Sequence, residues 1–175
     1  MLPVIFCGKS SEQICTVIKE LFEKSVTVSV IKSRSAVFFR DSCLLFICSD
    51  EREYKFFDKA VVIATDCGEV YGNIRLLKGG YLIAESLNKS ALTYAEDNKL
   101  IPIEFGPSHF ATVTFSSVQS DCTVVSFKRC IKDINGDTVE PFEIPIFLEE
   151  KNNFAAYIAA ALLAVIGLSE TQEKL

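Results

Sequence analysis

Two runs of this chain, 43–48 and 60–64, are apolar at every position. A strand with one wet face alternates polar and apolar residues, so an unbroken apolar strand must be covered on both sides. That is the pattern of a parallel sheet between layers of helices. These two runs therefore restrict the fold more than any other feature, and they point to an α/β architecture.

The remaining pattern extends the same rhythm. Val4-Ile5-Phe6-Cys7 is a short strand candidate, followed by Gly8-Lys9-Ser10-Ser11 and by apolar residues at helical spacing, Ile14, Val17, Ile18, Leu21 and Phe22. Ser10 or Ser11 is placed to cap that helix, and Glu12 suits the positive end of its dipole. Strand-rich stretches follow at 26–31 and 36–39. Gly79-Gly80 precedes a strand at 81–84, a helix over 89–97 and a strand at 101–105. Beyond Gly106-Pro107 the pattern changes to alternation, at 111–118 and 123–131, and Asn135-Gly136 predicts a hairpin of the primed-turn kind leading into 138–147. The Ala-rich stretch 153–166 predicts a closing helix stopped by Gly167.

Charge and composition exclude several function classes. With 18 Lys and Arg against 23 Asp and Glu the net charge is −5, which supplies no general attraction for nucleic acid or anionic lipid. The longest apolar run, 154–168, falls short of the roughly 20 apolar residues that a membrane-spanning helix needs, and the amino-terminal apolar run is too short for a secretory signal. Seven cysteines, an odd number with no CxxC pair and several inside apolar runs, read as reduced buried thiols, which suits the cytoplasm. With hydrophobic residues at 49%, 175 residues can bury the core of one domain, 1–175.

Gly8-Lys9-Ser10, between a strand and a helix, is the most chemical feature. Backbone amides at a helix amino end can cradle phosphate, a lysine adds charge, and a serine hydroxyl can reach Mg²⁺. The full phosphate loop, GxxxxGK(S/T), has a glycine five residues before Gly8, where this chain has Pro3. Two apolar strands run into acidic residues, Asp50 and Asp66, and the carboxyl ends of parallel strands are where such sheets place ligands. Either carboxylate could hold Mg²⁺. Cys67 lacks an accompanying base. The single histidine, His109, lies in a Gly/Pro loop and reads as a surface turn residue.

Taken in order, these segments resemble the central ATP-binding domain of the Mur ligase superfamily, the ATP-dependent amide-bond ligases of peptidoglycan precursor synthesis and their folylpolyglutamate synthetase relatives. The resemblance is carried by Gly79-Gly80-Tyr81-Leu82-Ile83-Ala84, by Ile101-Pro102-Ile103-Glu104-Phe105-Gly106, and by Asn152 leading into Ala155 through Gly167. Gly8-Lys9-Ser10-Ser11 matches the tail of the family's Gly-Thr-Asn-Gly-Lys-Ser/Thr-Ser/Thr loop. Six positions depart from the family pattern, two of them Phe6 and Cys7 in place of the loop's Thr-Asn. Ile5 stands at the loop's first glycine, Ile47 near its Mg²⁺-binding glutamate, Lys151 at the histidine of its His-Asn motif, and Ala155 at a second asparagine.

The resemblance implies a mostly parallel sheet with flanking helices, P-loop-like, plus a small antiparallel β extension over 106–150. It also implies ATP and Mg²⁺ as ligands, and a nucleotide site at Gly8, Lys9, Ser10, Ser11 and Asn152. The family's flanking domains do not fit in 175 residues. The expectation is a non-catalytic domain that binds a nucleotide or other phosphate ligand weakly. The alternatives are a protein-interaction or assembly module, including a homo-oligomer, or an ATP-dependent ligase completed by a partner chain.

Overall fold

A computed structural model describes residues 1–32, 35–49, 55–56, 59–66, 75–76, 79–118, 122–147 and 152–167. Fourteen strands and three helices are assigned among them. The central parallel strands are β1 (Leu2–Cys7), β2 (Val28–Lys32), β4 (Leu44–Ser49), β6 (Ala60–Ala64), β8 (Gly80–Glu85) and β9 (Ile101–Phe105). β3 (Ser35–Val37) pairs antiparallel with β2, and β10 (Val113–Val118) runs parallel to β9. β11 (Thr123–Phe127) and β14 (Phe142–Ile146) add antiparallel strands at the other end. One ten-stranded sheet results, ordered β14-β11-β10-β9-β8-β6-β1-β4-β2-β3. The antiparallel extension expected over 106–150 thus continues the main sheet.

Each apolar strand sends alternate side chains to opposite faces, and both faces are covered. Val4 and Phe6 of β1 join a large core with α1 (Ser11–Phe22) and α3 (Asn153–Val165), while Ile5 and Cys7 join a smaller one with α2 (Lys89–Asp97). The unbroken apolar runs of β4 and β6 follow from this double burial. α3 is buried on all sides from Ala155 to Val165, so its alanines let strands and α1 approach closely. Tyr157 stacks on Phe115 with centroids 3.8 Å apart, and Phe105 meets Phe154 edge-on at 4.9 Å, which fixes the helix over β9 and β10. Gly167, at φ +74°, ends α3 as expected.

Three expectations need correction. The stretch 123–131 divides into β11 and β12 (Ile131–Lys132), leaving Lys128 and Arg129 exposed between them and outside any strand. The stretch 138–147 divides into β13 (Thr138–Val139) and β14, because Pro141 between them has no N–H to continue a ladder. The Asn135-Gly136 turn is not of the primed type, since only Gly136 has positive φ. It belongs to a five-residue connection, Asp133 to Asp137, in which Asp133 Oδ1 accepts the amides of Asn135 and Asp137 at 2.8 Å each. Two further short strands, β5 (Lys55–Phe56) and β7 (Arg75–Leu76), pair with each other in parallel.

Candidate functional site

β1 stands between β4 and β6, so the chain leaves it toward β2 on one side and returns across it to β6, β8 and β9 on the other. The crevice at the carboxyl end of such a central strand is where an open α/β sheet receives ligands. Gly8, Lys9 and Ser10 form the turn at that position, between β1 and α1.

The turn is tight. Ile5, Phe6 and Cys7 belong to β1 and are fully buried, so the peptide does not open into a wide loop before Gly8. Gly8 sits at φ +119°, and a Cβ there would lie 2.8 Å from both Thr65 Oγ1 and Asp66 Oδ2. Only glycine fits, for backbone and for space. Ser10 occupies the cap position of α1, yet its side chain makes no cap hydrogen bond, and Ser11 is the first, buried residue of the helix. The expected serine cap is therefore absent, while Glu12 lies in the first turn as expected. The Lys9 side chain is exposed to solvent.

Asp66, which follows β6, points back into this turn. The Lys9 amide donates to Asp66 Oδ2 at 2.7 Å, a charge-assisted hydrogen bond. Thr65 Oγ1 donates to the Cys7 carbonyl at 2.9 Å, and Asn88 Nδ2 donates to the Asp66 carbonyl at 2.9 Å. Asn88 also caps α2 by accepting the Ala91 amide at 3.0 Å. The turn, the end of β6 and the start of α2 are thus joined through Asp66. The roles of Thr65 and Asn88 are missed by the sequence reading, although an asparagine just before a helix over 89–97 is a recognisable cap signal.

The other predicted residues are dispersed. Asn152 caps α3, its side-chain oxygen accepting the Ala155 amide at 3.0 Å. Asp50, Cys67 and Lys151 lie outside the described residues. His109 is exposed in the loop after β9, matching the surface-turn reading. Ile47 is buried in β4. Among the described residues no group of three or more His, Cys, Asp or Glu is gathered to hold a metal, and Asp66 Oδ2 accepts the Lys9 amide.

Beneath the turn lie buried thiols. Burial pushes the Cys7 thiol up to about 12, with nearby Cys48 adding to the effect. A hydrogen bond with Cys48, then burial, pushes Cys15 up as well. These groups stay protonated and act as small apolar residues. No helix among the described residues is long and apolar enough to cross a membrane.

No protein-family model matches the chain, and no curated protein matches it. Solved structures do. The chain is similar to a murein peptide ligase, Mpl, from Psychrobacter arcticus, with TM-score 0.55 and 9% identity over 98% of this chain and 44% of that one. It is similar to MurF ligase from Thermotoga maritima, solved with ADP, with TM-score 0.52 and 10% identity over 99% of this chain and 46% of that one. MurF from Acinetobacter baumannii gives TM-score 0.52 and 8% identity over 100% of this chain and 46% of that one. The chain therefore spans less than half the length of the ligases it resembles, and at such low identity the likeness is one of fold: this is an α/β chain with the fold of a Mur ligase segment.

Proposed function

We propose that this chain is a non-catalytic Mur ligase-like domain whose β1–α1 turn takes a phosphate-bearing ligand, ATP being the first candidate, weakly and in competition with its own Asp66. The observation that carries the reading is the Lys9 amide on Asp66 Oδ2 at 2.7 Å. The turn is receptive to an anion, since it already holds one at the amino end of α1. An incoming phosphate oxygen must displace that carboxylate and then lies beside it, like charge against like, which keeps affinity low.

The non-catalytic part rests on apolar side chains at positions where the resembled family uses polar or flexible ones. Ile5 is fully buried within β1, and Ile47 is buried within β4. Phosphoryl transfer depends on dipoles and charges fixed around the transferred group, and neither residue supplies any. No step is assigned to Mg²⁺.

Thermal unfolding with and without millimolar Mg·ATP tests this, because ligand binding to the folded chain alone raises the melting temperature by mass action. A rise in the wild type that is lost in Lys9→Ala supports the reading. No rise in the wild type or in Asp66→Ala overturns it.

A second reading, a protein-interaction or assembly module, is favoured by one edge of the sheet. β3 is exposed along its length, and Val37, Phe38 and Phe39 are 49%, 62% and 46% exposed. Open edge strands with exposed apolar side chains pair readily with other chains. A stable oligomer by light scattering, with no response to nucleotide, would favour this reading over the first.

A further inference from the structure

At the opposite end of the parallel strands from the Gly8 turn, beside the amino ends of β6, β8 and β9, lies a cavity of about 260 Å³. Lys59, Lys99 and Lys132 line it, from three separate segments: the approach to β6, the turn after α2, and β12. Its floor is the Gly79-Gly80 pair and Tyr81, and Ile101 forms an apolar wall. Gly80 is required there, since a Cβ would strike the Ala60 carbonyl.

Among the described residues the one carboxylate in the lining, Asp133, is turned into its own loop. Its Oδ1 accepts two amides at 2.8 Å, its Oδ2 faces Gly167 and the Asn135 side chain, and the residue is 5% exposed. Lys59 Nζ donates to the Ile134 carbonyl, and Lys132 Nζ donates to Thr138 Oγ1 at 2.6 Å. Neither partner carries charge. Among the described residues the Lys99 ammonium has no hydrogen-bond partner, and Lys99 itself is held at φ 55° by the end of α2. Three lysines thus line one concavity, and among the described residues its one carboxylate is already satisfied, on a chain whose net charge is −5.

We infer that this cavity is a binding site for a compact polyanion, a phosphate ester or a small polycarboxylate. Lys99 is its principal charge, and Lys59 and Lys132 close on the ligand from the other two segments. The volume is enough for a group the size of pyrophosphate or citrate. A strand of five or six residues, roughly 15–20 Å, separates it from the Gly8 turn, so the two sites are independent.

The test is a titration of the ¹⁵N-labelled chain with inorganic pyrophosphate, and in a second arm with citrate, against sodium chloride at matched ionic strength. Expected are saturable shifts of the Gly79, Gly80 and Gly136 amides while Gly8 is unmoved, weakened at least tenfold in Lys99→Met. The arm that saturates at lower concentration assigns phosphate or carboxylate chemistry. Lys59→Met serves as the second variant should Lys99→Met lose the dispersed spectrum of a folded chain. Shifts that follow ionic strength alone, that centre on Gly8, or that are unchanged in a folded variant would overturn the proposal.

Discussion

The Lys9 amide and the Asp66 carboxylate, 57 residues apart in sequence, meet at 2.7 Å across the end of the central strand. On the proposed reading, a carboxylate of the chain itself lies where the β1–α1 turn would receive a phosphate oxygen. This single contact sets both the stability of the turn and its availability to outside anions.

Asp66→Ala separates those two effects. Loss of a charge-assisted hydrogen bond should lower stability by about 1–2 kcal/mol. The emptied amide should at the same time enlarge the ligand-induced rise in melting temperature with Mg·ATP. Calorimetry of wild type and variant with and without nucleotide reads both changes. A variant that is destabilised yet shows a smaller ligand response would contradict the competition.

Gly8→Ala tests the turn geometry without altering charge. The positive φ and the 2.8 Å approach of Thr65 and Asp66 leave no room for a methyl group. The expected cost is about 2–3 kcal/mol, which for a chain of this size corresponds to a fall in melting temperature of roughly 4–12 °C. Gly136→Ala is the comparison: it also has positive φ, but nothing lies within 4 Å of its Cβ position, so its loss should be smaller.

The buried thiols predict an alkaline limit to stability. Cys7 is raised from 9.0 to about 12 and Tyr94 from 10.0 to about 12, in both cases chiefly by burial. A raised acid favours its neutral form in the folded state. The contribution is complete below pH 9 and is lost as pH climbs toward 12. Urea unfolding at pH 8, 9, 10 and 11 should show stability falling only above pH 9, and Cys7→Ala should reduce that slope.

Alkylation should discriminate among the cysteines in the native chain. Cys43 and Cys130 are exposed, whereas Cys7, Cys15 and Cys48 are buried. The Cys130 thiol is pushed up by its hydrogen bond to Glu140, which reduces its thiolate at a given pH. With iodoacetamide at pH 8, Cys43 should label before Cys130, and the three buried thiols only after unfolding. Peptide mass spectrometry over time gives the order.

Much of this architecture is legible in the sequence because its elements are locally consistent. The apolar run 60–64, the helix 89–97 and the strand 101–105 coincide with β6, α2 and β9. Each combines one clear local pattern, unbroken apolar, helical or alternating, with a Gly, Asn or charged residue near its ends. Legibility fails where a long-range contact decides. Nothing near Asp66 in sequence reveals that its carboxylate accepts the Lys9 amide. Likewise Asn135-Gly136 carries the dipeptide of a tight hairpin, yet Asp133 gathers the surrounding amides and sets a longer connection. Pro141 could have been read as a break between β13 and β14, since proline cannot donate to a ladder.

α3 follows the described strands in sequence and is buried on all sides by β8, β9, β10, β11, β14 and α1. While the ribosome is still making residues 153–165, the sheet face that this helix covers has nothing over it. Phe105, Phe115 and Tyr81 then form an adhesive apolar surface in the nascent chain. Such intermediates aggregate or recruit chaperones. Removing residues 153–165 should therefore leave that face open and make the chain prone to aggregate.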